Sequence, residues 1–234
     1  MIAVFKREFH AYFHSPLGYV FIAVMYFFIA YSCFMGNLVQ NTTDMSFLFN
    51  QLFTVVLFLV PILTMRLMSE DQRAGTNQIL FTSPVSRLGI VCGKYFAAFA
   101  VYLMSISGAL IMALIVEFFS KTDWPVVIGH LIGLILLGAS LIAICLFLSG
   151  LTESQVIAAV SGFAASLSLV LIDALVSVVS GKTFKTLFMY MSFNNRYHGF
   201  TIGIIDFSNV VFFLSIAALF VLLTGAGLEK RRWS

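Results

Sequence analysis

The residues that could do chemistry are few, and the densest group lies between Met65 and Ala98, in MRLMSEDQRAGTNQILFTSPVSRLGIVCGKYFAA. It holds a charged cluster (Arg66, Glu70, Asp71, Arg73), a Gly75-Thr76 pair, an apolar patch (Ile79, Leu80, Phe81), then Ser83-Pro84. Elsewhere the reactive types are isolated. A phosphate-cradling loop needs G-x-x-x-x-G-K-[ST], and at Gly181-Lys182-Thr183 the first glycine position is Val176. His10 and His14 are four apart, a spacing that permits chelation, but no third ligand is nearby. No H-E-x-x-H occurs, and Ser161-Gly162 lacks the context of a nucleophile. Cys33, Cys92 and Cys145 are scattered without metal-like spacing and read as small buried apolar side chains. The sequence therefore offers no catalytic residue, no metal site, no cofactor site and no machinery for hydrolysing a nucleotide.

The elements that position these residues follow from composition. The chain has 234 residues, 61% hydrophobic and 10% charged, with a mean hydropathy of +1.03. Soluble domains carry about 25% charged residues, so this chain needs lipid around most of its exterior. It reads as a single all-α integral membrane domain over 1–234. Lys6 and Arg7 precede an apolar run from Leu17 to about Met35, too long for a signal h-region and without an A-x-A site. It is expected to be a retained span.

Six stretches reach the roughly 20 apolar residues that cross a bilayer: 17–38, 48–68, 90–116, 125–149, 155–179 and 208–228. With the N-terminus in the cytoplasm, nine basic residues (Lys6, Arg7, Arg66, Arg73, Arg87, Lys94, Lys230, Arg231, Arg232) lie inside. Lys121, Lys182, Lys185 and Arg196 lie outside. The positive-inside rule then places both termini in the cytoplasm. Residues 1–14 put Ile2, Phe5, Phe9 and Phe13 on one helical face with Lys6 and Arg7 off it, the pattern of a helix lying in the membrane interface. Glu229-Lys230-Arg231-Arg232-Trp233 reads as a second interfacial anchor. The external segment from Gly181 to Asp206 carries Phe184, Leu187, Phe188, Met189, Tyr190, Phe193 and Tyr197, and short helices dipping into the outer leaflet are expected there. Ser83 or Ser86 is expected to cap the third span, with Pro84 stopping continuation from upstream.

Asp173 falls within the fifth span, where an unpaired charge costs at least about 2.5 kcal/mol. It either lines a path or pairs across a dimer, or the span is shifted and it lies at the outer interface. The same span is rich in small residues, Ser161, Gly162 and Ser166 among them, which permit close helix packing within one subunit or at a dimer seam. His130 is isolated on an apolar helix, either hydrogen-bonded or pore-facing.

The pattern E-x-x-x-x-G-T-x-[EQ]-x-L-x-x-[ST]-P-[VI], here Glu70 to Val85 just after the second span, resembles the type-2 ABC transporter permeases, in particular the gliding-motility-associated subfamily. Residues 5–20 (FKREFHAYFHSPLGYV) are similar to that subfamily's N-terminal helix. Many relatives carry Glu where this chain has Gln78. The resemblance implies a permease subunit forming half of a transmembrane dimer, homo- or heteromeric, in the inner membrane. A separate cytoplasmic ATPase subunit, which binds ATP and Mg, would dock beneath it. It implies that Ser69 to Ser83 is the coupling helix, with Glu70, Asp71 and Arg73 as polar rim, Gly75 and Thr76 within it, Ile79, Leu80 and Phe81 as buried contact, and Pro84 closing it.

Export, or extraction of a substrate from the membrane, is the expected activity; scarce charge in the spans slightly favours an amphiphilic cargo. Two other readings stand beside it. A stand-alone secondary transporter or channel would show repeats with ionisable residues at mid-membrane, and only Asp173 qualifies. A scaffold passing ATPase motion to an envelope partner could use the external aromatic segment. No nucleic-acid partner is expected.

Overall fold

The computed structural model describes residues 1–73, 75, 86–119, 121–178, 192–201, 203 and 206–232, without the side chains of residues 87, 173–178 and 229–232. Every regular element among them is helical: α1 (Ile2–His14), α2 (Pro16–Cys33) continued by a π-helical turn (Phe34–Leu38), α3 (Ser46–Thr64), α4 (Arg66–Arg73), α5 (Arg87–Phe119), α6 (Trp124–Ser149), α7 (Gln155–Val178), α8 (Phe193–Thr201) and α9 (Phe207–Arg232). Six stretches are long and apolar enough to cross a membrane: Pro16–Leu38, Ser46–Arg73, Leu88–Phe119, Trp124–Ser149, Gln155–Ile172 and Phe207–Leu228. Each overlaps a span expected from the sequence. The second extends to Arg73 because α4 follows α3 after one turn residue, Met65.

Local chemistry sets the boundaries. Ser15 precedes Pro16 and is extended (φ −95°, ψ 154°), as the proline ring demands, so α1 stops and α2 begins with proline at its first position. Asp44 Oδ1 accepts the Ser46 N–H at 2.9 Å where α3 begins. Of the two serines proposed to cap the third span, Ser86 does so: its Oγ accepts the Gly89 N–H at 3.2 Å and its carbonyl the Ile90 N–H; Ser83 lies outside the described residues.

The core is built round α6, buried along most of its length and packed against α3, α5, α7, α8 and α9. Glycines on α6 admit aromatic rings from its neighbours. Tyr102 sits where a Gly138 side chain would be, and its hydroxyl donates to Leu134 O at 2.6 Å. Tyr197 of α8 packs on Gly133 and Phe200 on Gly129. Such close approach suits helices in lipid, where packing rather than apolar transfer drives association.

Both termini lie at one end of the bundle, where α1 packs on α5 at Gly93 and Gly225 of α9 meets Leu88. α1 is a separate 13-residue helix, about 20 Å long and too short to span. Phe5, Phe9 and Phe13 do line one stripe, with centroids 5.8 and 5.1 Å apart. The deepest residues are instead Val4 and Tyr12, on an adjacent stripe that includes Glu8, while Ile2 is exposed. At the opposite end, α8 lies along α6 with Phe193, Tyr197 and Phe200 buried. The residues Phe184, Leu187, Phe188, Met189 and Tyr190 lie outside the described residues.

Candidate functional site

A charged knot sits at the terminal end, under the start of α5. Lys94 is 2% exposed, and its Nζ donates to Asp71 Oδ2 at 2.6 Å, Glu8 Oε1 at 3.0 Å and Leu67 O at 2.6 Å. Arg7 pairs with Glu8 and reaches Asp71 Oδ2 at 3.5 Å. Burial alone would lower the Arg7 pKa, but the Glu8 hydrogen bond and the Glu8 and Asp71 charges outweigh it and the value is raised. Two cations face two carboxylates, so the knot is neutral. A buried ammonium is tolerable here because two carboxylates and a carbonyl replace its water. The three helices α1, α4 and α5 are thereby tied at a single atom.

α4 is braced from its other side as well. The break at Met65 leaves the first amide groups of α4 without helical acceptors. Ser149, the last residue of α6, takes this role: its Oγ accepts the N–H groups of Met68 and Ser69, each at 3.2 Å, and donates to Met65 O at 3.0 Å. Gln72 Nε2 donates to Gly150 O at 2.7 Å. Arg66 pairs with Glu70 at 2.8 Å and donates to Ser15 Oγ at 2.7 Å. Tyr12 donates its hydroxyl to Leu63 O at 2.8 Å, and burial pushes its pKa well up, so it stays a donor. The segment leading into residues 74–85 is thus held by α1, α5 and the end of α6.

Of the residues singled out from sequence, Glu70 is half exposed and paired with Arg66, Asp71 turns inward to Lys94, and Arg73 is exposed. Gly75 has a positive φ of 67°, which favours glycine. Thr76, Ile79, Leu80, Phe81 and Pro84 lie outside the described residues. Phe5 and Phe9 are half-buried and Lys6 is exposed, while Arg7 belongs to the knot. The side chains of Arg231 and Arg232, all of Trp233, and the side chain of Asp173 are also outside the description. Gly162 packs against Pro61 and Cys145 of the same chain. Ser161 donates to Ala158 O at 3.0 Å, and Ser166 lines a cavity of ≈ 270 Å³ between α6, α7, α8 and α9.

Sequence reasoning missed Lys94 as a partner-seeking group, along with Glu8 and Ser149. The signal for Lys94 was present, since a lysine inside the apolar run 90–116 must find a counter-charge. The positive-inside rule uses it only as inside charge. His130 is hydrogen-bonded rather than open: its Nδ1 lies 3.1 Å from the Tyr197 hydroxyl and its ring stacks on Phe49 at 4.8 Å. His14 Nδ1 lies 3.0 Å from His10 O. Among the described residues no three His, Cys, Asp or Glu side chains are placed to hold a metal ion.

A site made of ion pairs and caps can hold and transmit position, but it does no bond chemistry. Residues 19–226 of the chain match the family described as ABC-2 family transporter protein. The chain belongs to this family. Comparison with curated proteins returned no match. With six apolar helices, this ABC-2 chain is a multi-pass membrane protein, the permease part of an ABC transporter. Its family implies an ATPase partner and is typically not itself catalytic.

Proposed function

We propose that this ABC-2 permease is an exporter subunit of the inner membrane, driven by a separate cytoplasmic ATPase that docks on residues 69–83. The end carrying both termini and nine of the thirteen basic residues is the cytoplasmic end. The ATPase holds ATP and Mg; this chain contributes the elbow, with Ile79, Leu80 and Phe81 as the docked contact. A second permease chain, identical or different, completes the translocation unit, and the N-terminal and elbow motifs favour kinship with the gliding-motility-associated subfamily.

The observation that carries this reading is the bracing of α4. A docking element moves other helices only if its root is rigid. The root here is pinned by Lys94 to α1 and α5 and by Ser149 to α6. Closure of the ATPase beneath the elbow would therefore tilt the second and third spans together and carry α1 with them.

Purification in mild detergent from the native host, followed by mass spectrometry, tests it. A Walker-motif ATPase accompanies the native chain and is absent when Ile79, Leu80 and Phe81 are all changed to Asp. If no such ATPase accompanies the native chain, or if it stays with the triple variant, docking at this elbow is wrong.

A further inference from the structure

At the end opposite the termini, α2 and α5 diverge around a cavity of ≈ 550 Å³, within the roughly 300–1,000 Å³ of small-molecule sites. Its walls are apolar, with Ala30 and Cys33 on one side and Ile115 and Val116 on the other. Its rim residues Phe34, Ile115 and Phe119 are themselves exposed, so in a membrane the cavity opens toward lipid. Its polar end is formed by the π-helical turn and the loop after it, through Asn37, Asn41, Thr42 and Thr43. π-Turns are often found at functional sites.

Asn37 is the informative residue. It is 5% exposed, and its Nδ2 donates to Thr42 O at 3.0 Å and to Asp44 O at 3.1 Å. Two carbonyl acceptors on that side fix the amide orientation, because the amide oxygen could bond neither. Asn37 Oδ1 is left buried without a hydrogen-bond partner, an arrangement that costs about 1–3 kcal/mol unless a donor reaches it. Among the described residues lining the cavity none is formally charged.

From this geometry we infer a lipid-binding site, taking a membrane lipid with an uncharged, hydroxyl-bearing head group. One acyl chain lies between α2 and α5, and a head-group hydroxyl donates to Asn37 Oδ1 beside the Thr42 and Thr43 hydroxyls. A phosphatidylcholine head finds no counter-ion among the described lining residues and, having no N–H or O–H donor, leaves Asn37 Oδ1 unpaired. The inference rests on the chain's place in a membrane and not on which ATPase drives it.

The test uses the full chain in phosphatidylcholine nanodiscs doped with lipids carrying the same photoactivatable acyl chain. The probes are a monohexosyl diacylglycerol, its O-methylated form and a phosphatidylcholine. The sugar lipid is expected to label the peptides containing residues 30–43 and 112–119 at least about threefold more than either other probe, as one hydrogen bond allows. The methylated probe removes the donor without touching the protein, so it needs no variant to fold. Val116→Trp, which fills the cavity, reduces sugar-lipid labelling to the phosphatidylcholine level. Equal labelling by all three probes, undiminished labelling in Val116→Trp, or a second copy of the chain cross-linked at these residues instead of lipid overturns the site. ATPase co-purification is unaffected by any of these outcomes, so failure here is distinct from failure of the docking proposal.

Discussion

Replacing Lys94 by Met removes the cation on which α1, α4 and α5 converge, while keeping the length of the side chain. Breaking a buried ion pair from one side costs about 3–5 kcal/mol, because it strands the opposite charge. Two features place this case at the low end. Arg7 remains paired with Glu8 and 3.5 Å from Asp71, and the two carboxylate side chains keep 13% and 15% of their exposure, enough for some water to reach them. The expected loss is about 3 kcal/mol, or roughly 150-fold in the unfolding constant. Adding Glu8→Gln and Asp71→Asn removes the stranded carboxylates and leaves only Arg7, half exposed to solvent, without a counter-charge, and the triple variant is expected within about 1 kcal/mol of the native chain, since neutral groups replace the buried ionic set at little cost. Unfolding in mixed micelles gives these values, and amide exchange over residues 2–14 should rise in Lys94→Met as α1 loses its anchor. A loss below about 1 kcal/mol for the single variant, or a triple variant no better than the single, would refute the pairing of Lys94 with both carboxylates.

Two further changes probe the same architecture. Ser149→Ala leaves the Met68 and Ser69 amides without their acceptor, costing about 2 kcal/mol, whereas Ser149→Thr keeps the hydroxyl and most of the stability; thermal melts in detergent compare them, and equal melting of all three would dismiss the cap. Hydrogen bonds from the Ser46 side chain and amide hold the Asp44 carboxyl below its ordinary pKa. That depressed value means its contribution is complete above the ordinary carboxylate value of about 3.9 and is lost as pH falls through the folded one. Melts below that pH should therefore fall more steeply for the native chain than for Asp44→Asn, and parallel curves would contradict it.

The spans were legible because length and apolarity are local properties, and the bilayer imposes both on a contiguous stretch. The Ser15-Pro16 break and the Ser86 cap were legible for the same reason, since each acts on its own neighbours. The knot was not. Glu8 and Lys94 stand 86 positions apart, and the sequence pattern explains Lys94 as inside charge without pointing to Glu8. α1 shows how a local pattern misleads. Its stripe of phenylalanines is the most apolar face in sequence, yet Val4, Glu8 and Tyr12 point to the bundle. In water the greasiest face turns inward; in lipid that preference disappears, and the face with partners to satisfy turns inward instead.

That inversion also explains why a lysine is buried beside a glycine. Gly93 lies under Val4, where an added Cβ would come within 3.0 Å of the Val4 side chain. The glycine lets α1 approach α5 closely, but lipid could fill the same gap at little cost, so packing alone would fix neither the register nor the rotation of α1. Lys94, the next residue, does fix them, because Glu8 and Asp71 can both reach its ammonium in few arrangements. An apolar trio of similar volume would be as stable. What it would lack is a unique position for α1 relative to α4, and position is what α4 has to transmit under the proposal that residues 69–83 dock an ATPase.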